Sequence, residues 1–365
     1  MGEIALSVLR RYAVGNRTVR KRGLCPRRCA TPPEYESKKK AAVMIETRLT
    51  QSFGLSVPIV LAPMARVAGG ALAAAVSRAG GLGLIGGGYC DAPWIEAEMA
   101  RADGAAVGVG LITWALARDV AVLEQVLAQA PRAVLLSFGD AAPFAGAIRA
   151  AGAQLICQVQ DMAGARQALA AGADVLVAQG AEAGGHGARR ATLTLVPEVV
   201  DLVARERPEV LVLAAGGIAD GRGLAAALML GADGVVCGTR LWAAAEALVP
   251  EGQRRAALAA EGDATYRSSL VDVVRGLDWP APFTLRGMRN AFSERWEGRL
   301  QALAADTEAK AEWGAAALSG DAAIAAPVVG EAIGLIRQTA PAAEILAQMS
   351  DEAERLLAGA ARWIK

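Results

Sequence analysis

The stretch Gln154–Gly180, QLICQVQDMAGARQALAAGADVLVAQG, holds one copy of the pattern that decides the fold. It opens on an apolar, β-rich run, QLICQV (154–159). An Ala-rich segment, AGARQALAAG, follows and closes on a glycine of the kind that ends helices, and a second apolar run begins at Val175. Strand, helix and strand in that order form a crossover between parallel strands.

Outward in both directions the same alternation recurs about every 20–30 residues. Strand-like runs are IVLAPM (59–64), LGLIGG (82–87), AAVGVGLI (105–112), AVLLSF (133–138), QLICQV, VLVAQG (175–180), VLVLAAGG (210–217) and GVVCGT (234–239). Helical segments such as GALAAAVSRAG, DVAVLEQVLAQA, LVPEVVDLVARER and GRGLAAALMLG lie between them. Eight β-α units that close on themselves make a TIM (β/α)8 barrel over residues 44–250. An open doubly wound sheet is disfavoured, because PMARVAGG after the first run lacks the G-x-G-x-x-G fingerprint.

Beyond residue 250 the pattern changes to charged amphipathic segments containing Trp279, Trp296, Trp313 and Trp363, read as a helical appendage over 251–365 that packs on the barrel. Pro280 and Pro282 break it. Its Trp-bearing helices suit either a cover over the barrel mouth or the face of a homodimer.

With 54% hydrophobic residues the chain can bury a large core without staples. The longest run free of Asp, Glu, Lys and Arg, Leu49–Ala65, is too short and too polar to span a bilayer. Five scattered cysteines form no disulfide framework and suit a reducing cytoplasm. Cys25 and Cys29, in CPRRC, lack the further ligands of a metal site. Residues 1–43 carry eleven Lys or Arg against three Asp or Glu, so this leader is +8 and the body −7 of a total of +1. Such a leader reads as disordered; alternatively the native start is Met44, where the patterned region begins. An acidic body without interleaved basic and aromatic residues argues against nucleic acid as a partner.

Barrel chemistry gathers in loops at the carboxyl ends of the strands, with phosphate often held after the seventh and eighth. Gly216 and Gly217 end the seventh run, and Gly238 and Thr239 the eighth. Small or missing side chains there let backbone N–H groups close on an anion. The loop after the sixth run, QGAEAGGHGARR (179–190), faces the same mouth and contains His186, the single histidine of the chain. Gly184, Gly185 and Gly187 around it supply no packing, which suits backbone that must approach a ligand. Imidazole there is suited to take a proton from a weak carbon acid. No serine sits in a nucleophile elbow, and one histidine is too few for the usual catalytic metals, so an organic, phosphate-bearing cofactor is expected.

Together VLAPM, GGLGLIGGG, AQGAEAGGHGARRATLTLVPEVVD, AAGGIADGRGLAAALMLGADGV and CGTR resemble the nitronate monooxygenase (2-nitropropane dioxygenase) family, from about residue 45 to 360. The later segments GLDWPAPF and GEAIGLI resemble it as well. That resemblance implies one non-covalent FMN, its phosphate on Gly216, Gly217, Gly238 and Thr239. Pro63 and Met64 would lie against the isoalloxazine, Gln179 and Gly184 with its neighbour Gly185 would bind the flavin, and Cys237 would contribute backbone beside the phosphate. Many members carry an asparagine where this chain has Gly110; Gln158, at the end of the fifth run, is placed to recognise the ring instead. The implied reaction takes an alkyl nitronate and O2 to a carbonyl compound and nitrite, with His186 as base for neutral nitroalkanes. The nearest alternative resemblance is an FMN-dependent enoyl-acyl-carrier-protein reductase using NAD(P)H. A non-enzymatic FMN-binding or nucleic-acid-associated protein is a more distant one.

Overall fold

The computed structural model describes residues 45–364, so the readings made for residues 1–43, CPRRC included, lie outside the described residues. Eleven strands occur in chain order: β1 (Ile59–Leu61), β2 (Gly83–Gly88), β3 (Val107–Ile112), β4 (Ala133–Ser137), β5 (Gln154–Val159), β6 (Val175–Gln179), β7 (Gly185–Gly187), β8 (Leu211–Ala215), β9 (Gly234–Cys237), β10 (Thr265–Ser268) and β11 (Thr284–Met288). Eight of them form a parallel sheet in the order β1-β9-β8-β6-β5-β4-β3-β2, and a parallel bridge from Val60 to Leu82 brings its two edges together. Intervening helices cover the outside, so the strands are buried on both faces and read as continuous apolar runs.

Two apolar layers result. Inside, Val60, Leu84, Leu135, Ile156, Val177, Leu213 and Val236 interdigitate, and Leu49 and Phe53 of helix Arg48–Phe53 join them. That helix starts at a Thr47 capping box and is tied to the barrel by Arg48, which donates to both Asp233 carboxylate oxygens at 2.8 Å. Outside, residues such as Leu72, Val76, Leu195, Val199 and Leu224 fill the space between strands and helices. Helix Ala342–Ala358 returns to this layer with Ile345, Leu346 and Met349.

The strands at the mouth stop earlier than the sequence runs. The first ends at Leu61, where the Met64 N–H turns back to the Ala62 carbonyl. The seventh in the barrel ends at Ala215, because Gly216 and Gly217 take φ of +104° and +74°. The eighth ends at Cys237, and Gly238 leads into the short helix Thr239–Trp242. Each shortening moves proposed ligand residues from strand into loop.

The segment after residue 250 contains the expected helices, with a small core of Leu270, Val274, Phe292, Trp296 and Leu303. It also contains β10 and β11, which the helical reading did not include. These pair antiparallel with each other and with β7, the loop segment that carries His186, so Leu285 lies opposite His186.

Candidate active site

A cavity of about 340 Å³ opens at the carboxyl ends of the barrel strands. Every site residue read from the sequence lies on its wall except Cys237. That cysteine faces the core with no exposed surface, its carbonyl accepts the Ala62 N–H, and burial pushes its thiol up to about 12. It is a packing residue of β9.

One wall is the pair of turns at 216–217 and 238–239. The Gly216 carbonyl accepts the Thr192 hydroxyl at 3.1 Å, and the Thr239 hydroxyl oxygen accepts the Gly330 N–H at 2.9 Å. Among the described residues, the amides of Gly217 and Gly238 find no acceptor. Gly238 is informative because nothing in the protein demands it. Its φ is −95°, and an added Cβ would meet only Ala62 Cβ at 3.5 Å and Met64 Sδ at 3.9 Å. The missing side chain leaves room on the cavity side, as a bound anion requires.

Next to the 238–239 turn lies the loop carrying Pro63 and Met64, which follows β1, the strand paired with β9. It can cross the ends of β2 and β3 only because both are glycine there: a Cβ on Gly86 would sit 2.1 Å from the Met64 carbonyl oxygen, and one on Gly110 2.2 Å from Pro63 Cβ. An asparagine at 110 has no room, so Pro63 itself fills that space.

Two amide side chains, Gln158 and Gln179, line the cavity, and buried Gln160 stands behind them. Gln158 and Gln160 donate to Gln179 Oε1 at 3.2 and 2.9 Å, and Gln179 Nε2 donates to the His186 carbonyl at 3.0 Å. Gln179 thereby holds the backbone of the histidine loop. Two arginines hold the same loop from the other side. Arg267, on β10, donates to the carbonyls of Ala181, Ala183 and Thr284 at 3.2, 3.1 and 2.7 Å; Arg286, on β11, donates to Ala181 at 2.9 Å and pairs with Glu331. Burial, reinforced by the neighbouring Arg286, lowers Arg267 to about 10.

The glycines around His186 prove to have separate reasons. Gly185 has φ +73°, whereas a Cβ on Gly184 would strike Gly330 N and Val329 C, both at 2.6 Å. Gly184 therefore admits the 329–330 backbone, although it also borders the cavity. Beside Gly187 stands the Arg267 guanidinium, 2.7 Å from where a Cβ would be.

His186 Nε2 lies 2.9 Å from Asp272 Oδ1, both side chains being buried. A carboxylate only accepts, so Nε2 carries the hydrogen and Nδ1 keeps a lone pair. Asp272 Oδ2 has no hydrogen-bond partner among the described residues. Trp279 stacks on the imidazole at 3.3 Å between centroids and 9° between planes, while its Nε1 donates to the Tyr89 hydroxyl at 2.9 Å. Phe138 meets both rings edge-on. Burial lowers the His186 pKa below its ordinary value, and Arg275 and Arg267 act in the same direction, against the raising effect of Asp272. The ring is thus neutral near pH 7, as a base must be.

The sequence reading did not include Asp272, nor the place of Trp279 against His186. Asp272 is the one acid of LVDVVR, a run whose other side chains are apolar apart from the terminal arginine, which was the available signal. Trp279, in GLDWPAPF, is expected from sequence only as one of the appendage tryptophans and part of a family segment, with no contact to His186 foreseen. Among the described residues no group of three or more His, Cys, Asp or Glu could hold a metal, and no helix is long and apolar enough to cross a membrane.

The fold and the site define a barrel enzyme with a buried His186–Asp272 pair and two glycine-bearing turns at one cavity. Residues 46–108 and 102–352 match the nitronate monooxygenase family, and the chain belongs to that family, an oxidoreductase family. It is 34% identical to a nitronate monooxygenase of Neurospora crassa, over 88% of this chain and 96% of that one. Among solved structures it is similar to FabK of Thermotoga maritima, with a TM-score of 0.76, 27% identity, and coverage of 88% of this chain and all of the other. It is also similar to the nitroalkane oxidase of Streptomyces ansochromogenes, with a TM-score of 0.69, 28% identity, and coverage of 84% and 98%.

Proposed function

We propose that this chain binds one FMN and oxidises alkyl nitronates with O2 to a carbonyl compound and nitrite, and that His186 Nδ1 takes the α-proton of a neutral nitroalkane to generate the nitronate in place. The observation that carries this reading is His186, held from behind by buried Asp272, on the wall of the cavity that also includes the glycine cradle. The residues present fit the cofactor. Two unsatisfied amides at Gly217 and Gly238 suit a phosphate, the Thr239 hydroxyl can add a donor, and Pro63, Met64, Gln158 and Gln179 offer an apolar and polar surface for a ring. Bound there, FMN supplies the electron transfer between substrate and O2.

The chain's own residues then have distinct tasks. Asp272 fixes the ring by accepting from Nε2, leaving Nδ1 as the proton acceptor. It also stabilises the imidazolium once the proton has moved. Trp279 and Phe138 exclude water from the imidazole, which keeps it neutral, and Gln179 sets its backbone. O2 and substrate are the partners; nothing in this chemistry calls for nicotinamide.

The test compares substrates. His186→Asn is expected to lose about 10²–10⁴-fold in kcat/KM on a nitroalkane, the scale of general base catalysis, and far less on the preformed nitronate. Nitrite release and O2 uptake measure both. Equal losses on the two substrates would remove the base assignment. Oxidation of NADPH without nitronate turnover would replace the oxidase by a reductase.

A further inference from the structure

The cavity wall contains one permanently charged side chain, Arg275. It ends helix Leu270–Arg275, whose residues Val271 and Arg275, four apart, both border the cavity, while Asp272 is directed at His186. Asp272 and Arg275 are three apart, so the cation stands about one helical turn from the carboxylate that holds the base. Among the described residues Arg275 takes part in no ion pair. Its guanidinium lies 5.1 Å from the centre of the Tyr89 ring, and Tyr89 is bonded to the Trp279 that covers His186. No Asp or Glu borders the cavity to neutralise it. The same wall includes the apolar side chains of Val271, Leu285, Trp313 and Val328.

A nitronate carries its charge on two coplanar oxygens, the geometry that a guanidinium binds through paired N–H groups. The nitro group acquires that same charge as the α-proton leaves.

We infer that Arg275 binds the two oxygens of the nitronate, and directs an alkyl tail toward Val271, Leu285 and Trp313. This rests on the nitronate reading of the site. The preferred substrate has a small anionic head and an apolar chain. Arg275 then serves a substrate supplied as the anion by attraction in the ground state. For one supplied neutral, it acts only as the proton is transferred.

Arg275→Met, Arg275→Lys and the unchanged holoenzyme are to be compared on 1-nitropropane and on its preformed nitronate. Butyrate, a carboxylate of the same shape as that nitronate, serves as a non-reacting competitor. Arg275→Met is expected to raise KM for the nitronate and the inhibition constant of butyrate about 10-fold or more, as for loss of a hydrogen bond between charged groups. For 1-nitropropane the loss should fall on kcat, with KM changed by less than about 2-fold. Arg275→Lys should recover part of the nitronate KM. In the unchanged enzyme, added salt should raise KM for the nitronate and leave that for 1-nitropropane level, because Arg275 is exposed enough to be screened. Equal KM increases for both substrates, or an unchanged butyrate constant, would overturn the inference. Absence of nitronate turnover by the unchanged holoenzyme would instead overturn the reading on which it rests.

Discussion

The two halves of the active-site mouth are built by different means. The cradle at 216–217 and 238–239 belongs to two consecutive β-α units and depends mainly on local backbone, with the Thr239 hydroxyl beside it. The surroundings of His186 are assembled from β6, β7, β10, β11, the helix Leu270–Arg275 and the loop around Trp279, which are up to a hundred residues apart in the chain. Local construction leaves its mark on neighbouring residues, and so the cradle could be read from glycine placement. Remote construction leaves a lone acid in one helix and a lone tryptophan in one loop, and neither states what it will touch.

After His186 itself, the largest effect separating the halves is expected at Asp272. Asp272→Asn removes the acceptor that fixes the imidazole and lets an amide N–H compete for Nε2, favouring the tautomer with hydrogen on Nδ1. About a 100-fold loss on nitroalkane should follow, with little change on preformed nitronate. The sign of the pH effect is fixed too. Burial already holds His186 below its usual value and Asp272 opposes that, so its removal lowers the pKa further. The acidic limb of the nitroalkane profile, below about 6.5 in the unchanged enzyme, should move to lower pH in the variant. A limb that stays in place would mean that Asp272 is only a packing partner, and the distinction between the halves would lose its chemical content.

The barrel was legible because each β-α unit repeats one signal, apolar run then Ala-rich helix then glycine, and eight repeats outweigh ambiguity in any one. The ends of strands were less so. Gly216 and Gly217 look like strand continuation until their positive φ breaks the ladder. Strands β10 and β11 went unseen since TYRS and TLRGM are short and carry the arginines that clamp the histidine loop, a polarity that masks a β pattern. His186 was found by its uniqueness and its glycine flanks. Its partner Asp272 needed the fold.

Gly184 and Gly238 sharpen the contrast, since the sequence offers the same reading of both and the structure does not. A Cβ on Gly184 meets two backbone atoms that cannot swing away, so Gly184→Ala should destabilise the protein by about 1–3 kcal/mol, as overpacking does. Thermal or denaturant unfolding of the FMN-free protein measures it directly. Unchanged stability would mean that segment 329–330 is held less firmly than the contacts imply.

Gly238→Ala should do the reverse and by less. The new methyl finds ordinary contact with Ala62 and fits a φ of −95°, so unfolding of the FMN-free protein should not change. On its cavity side the methyl enters the space left beside the two unsatisfied amides. If a phosphate group uses that space, FMN affinity should fall about 10-fold, read from quenching as the flavin is titrated into stripped protein. Riboflavin, which has no phosphate, should bind the variant and the unchanged protein alike, and this comparison separates a blocked anion site from a displaced ring. Equal FMN affinities would leave the missing side chain at 238 without a ligand to explain it, and the anion would have to be sought along the cavity wall nearer Gly217.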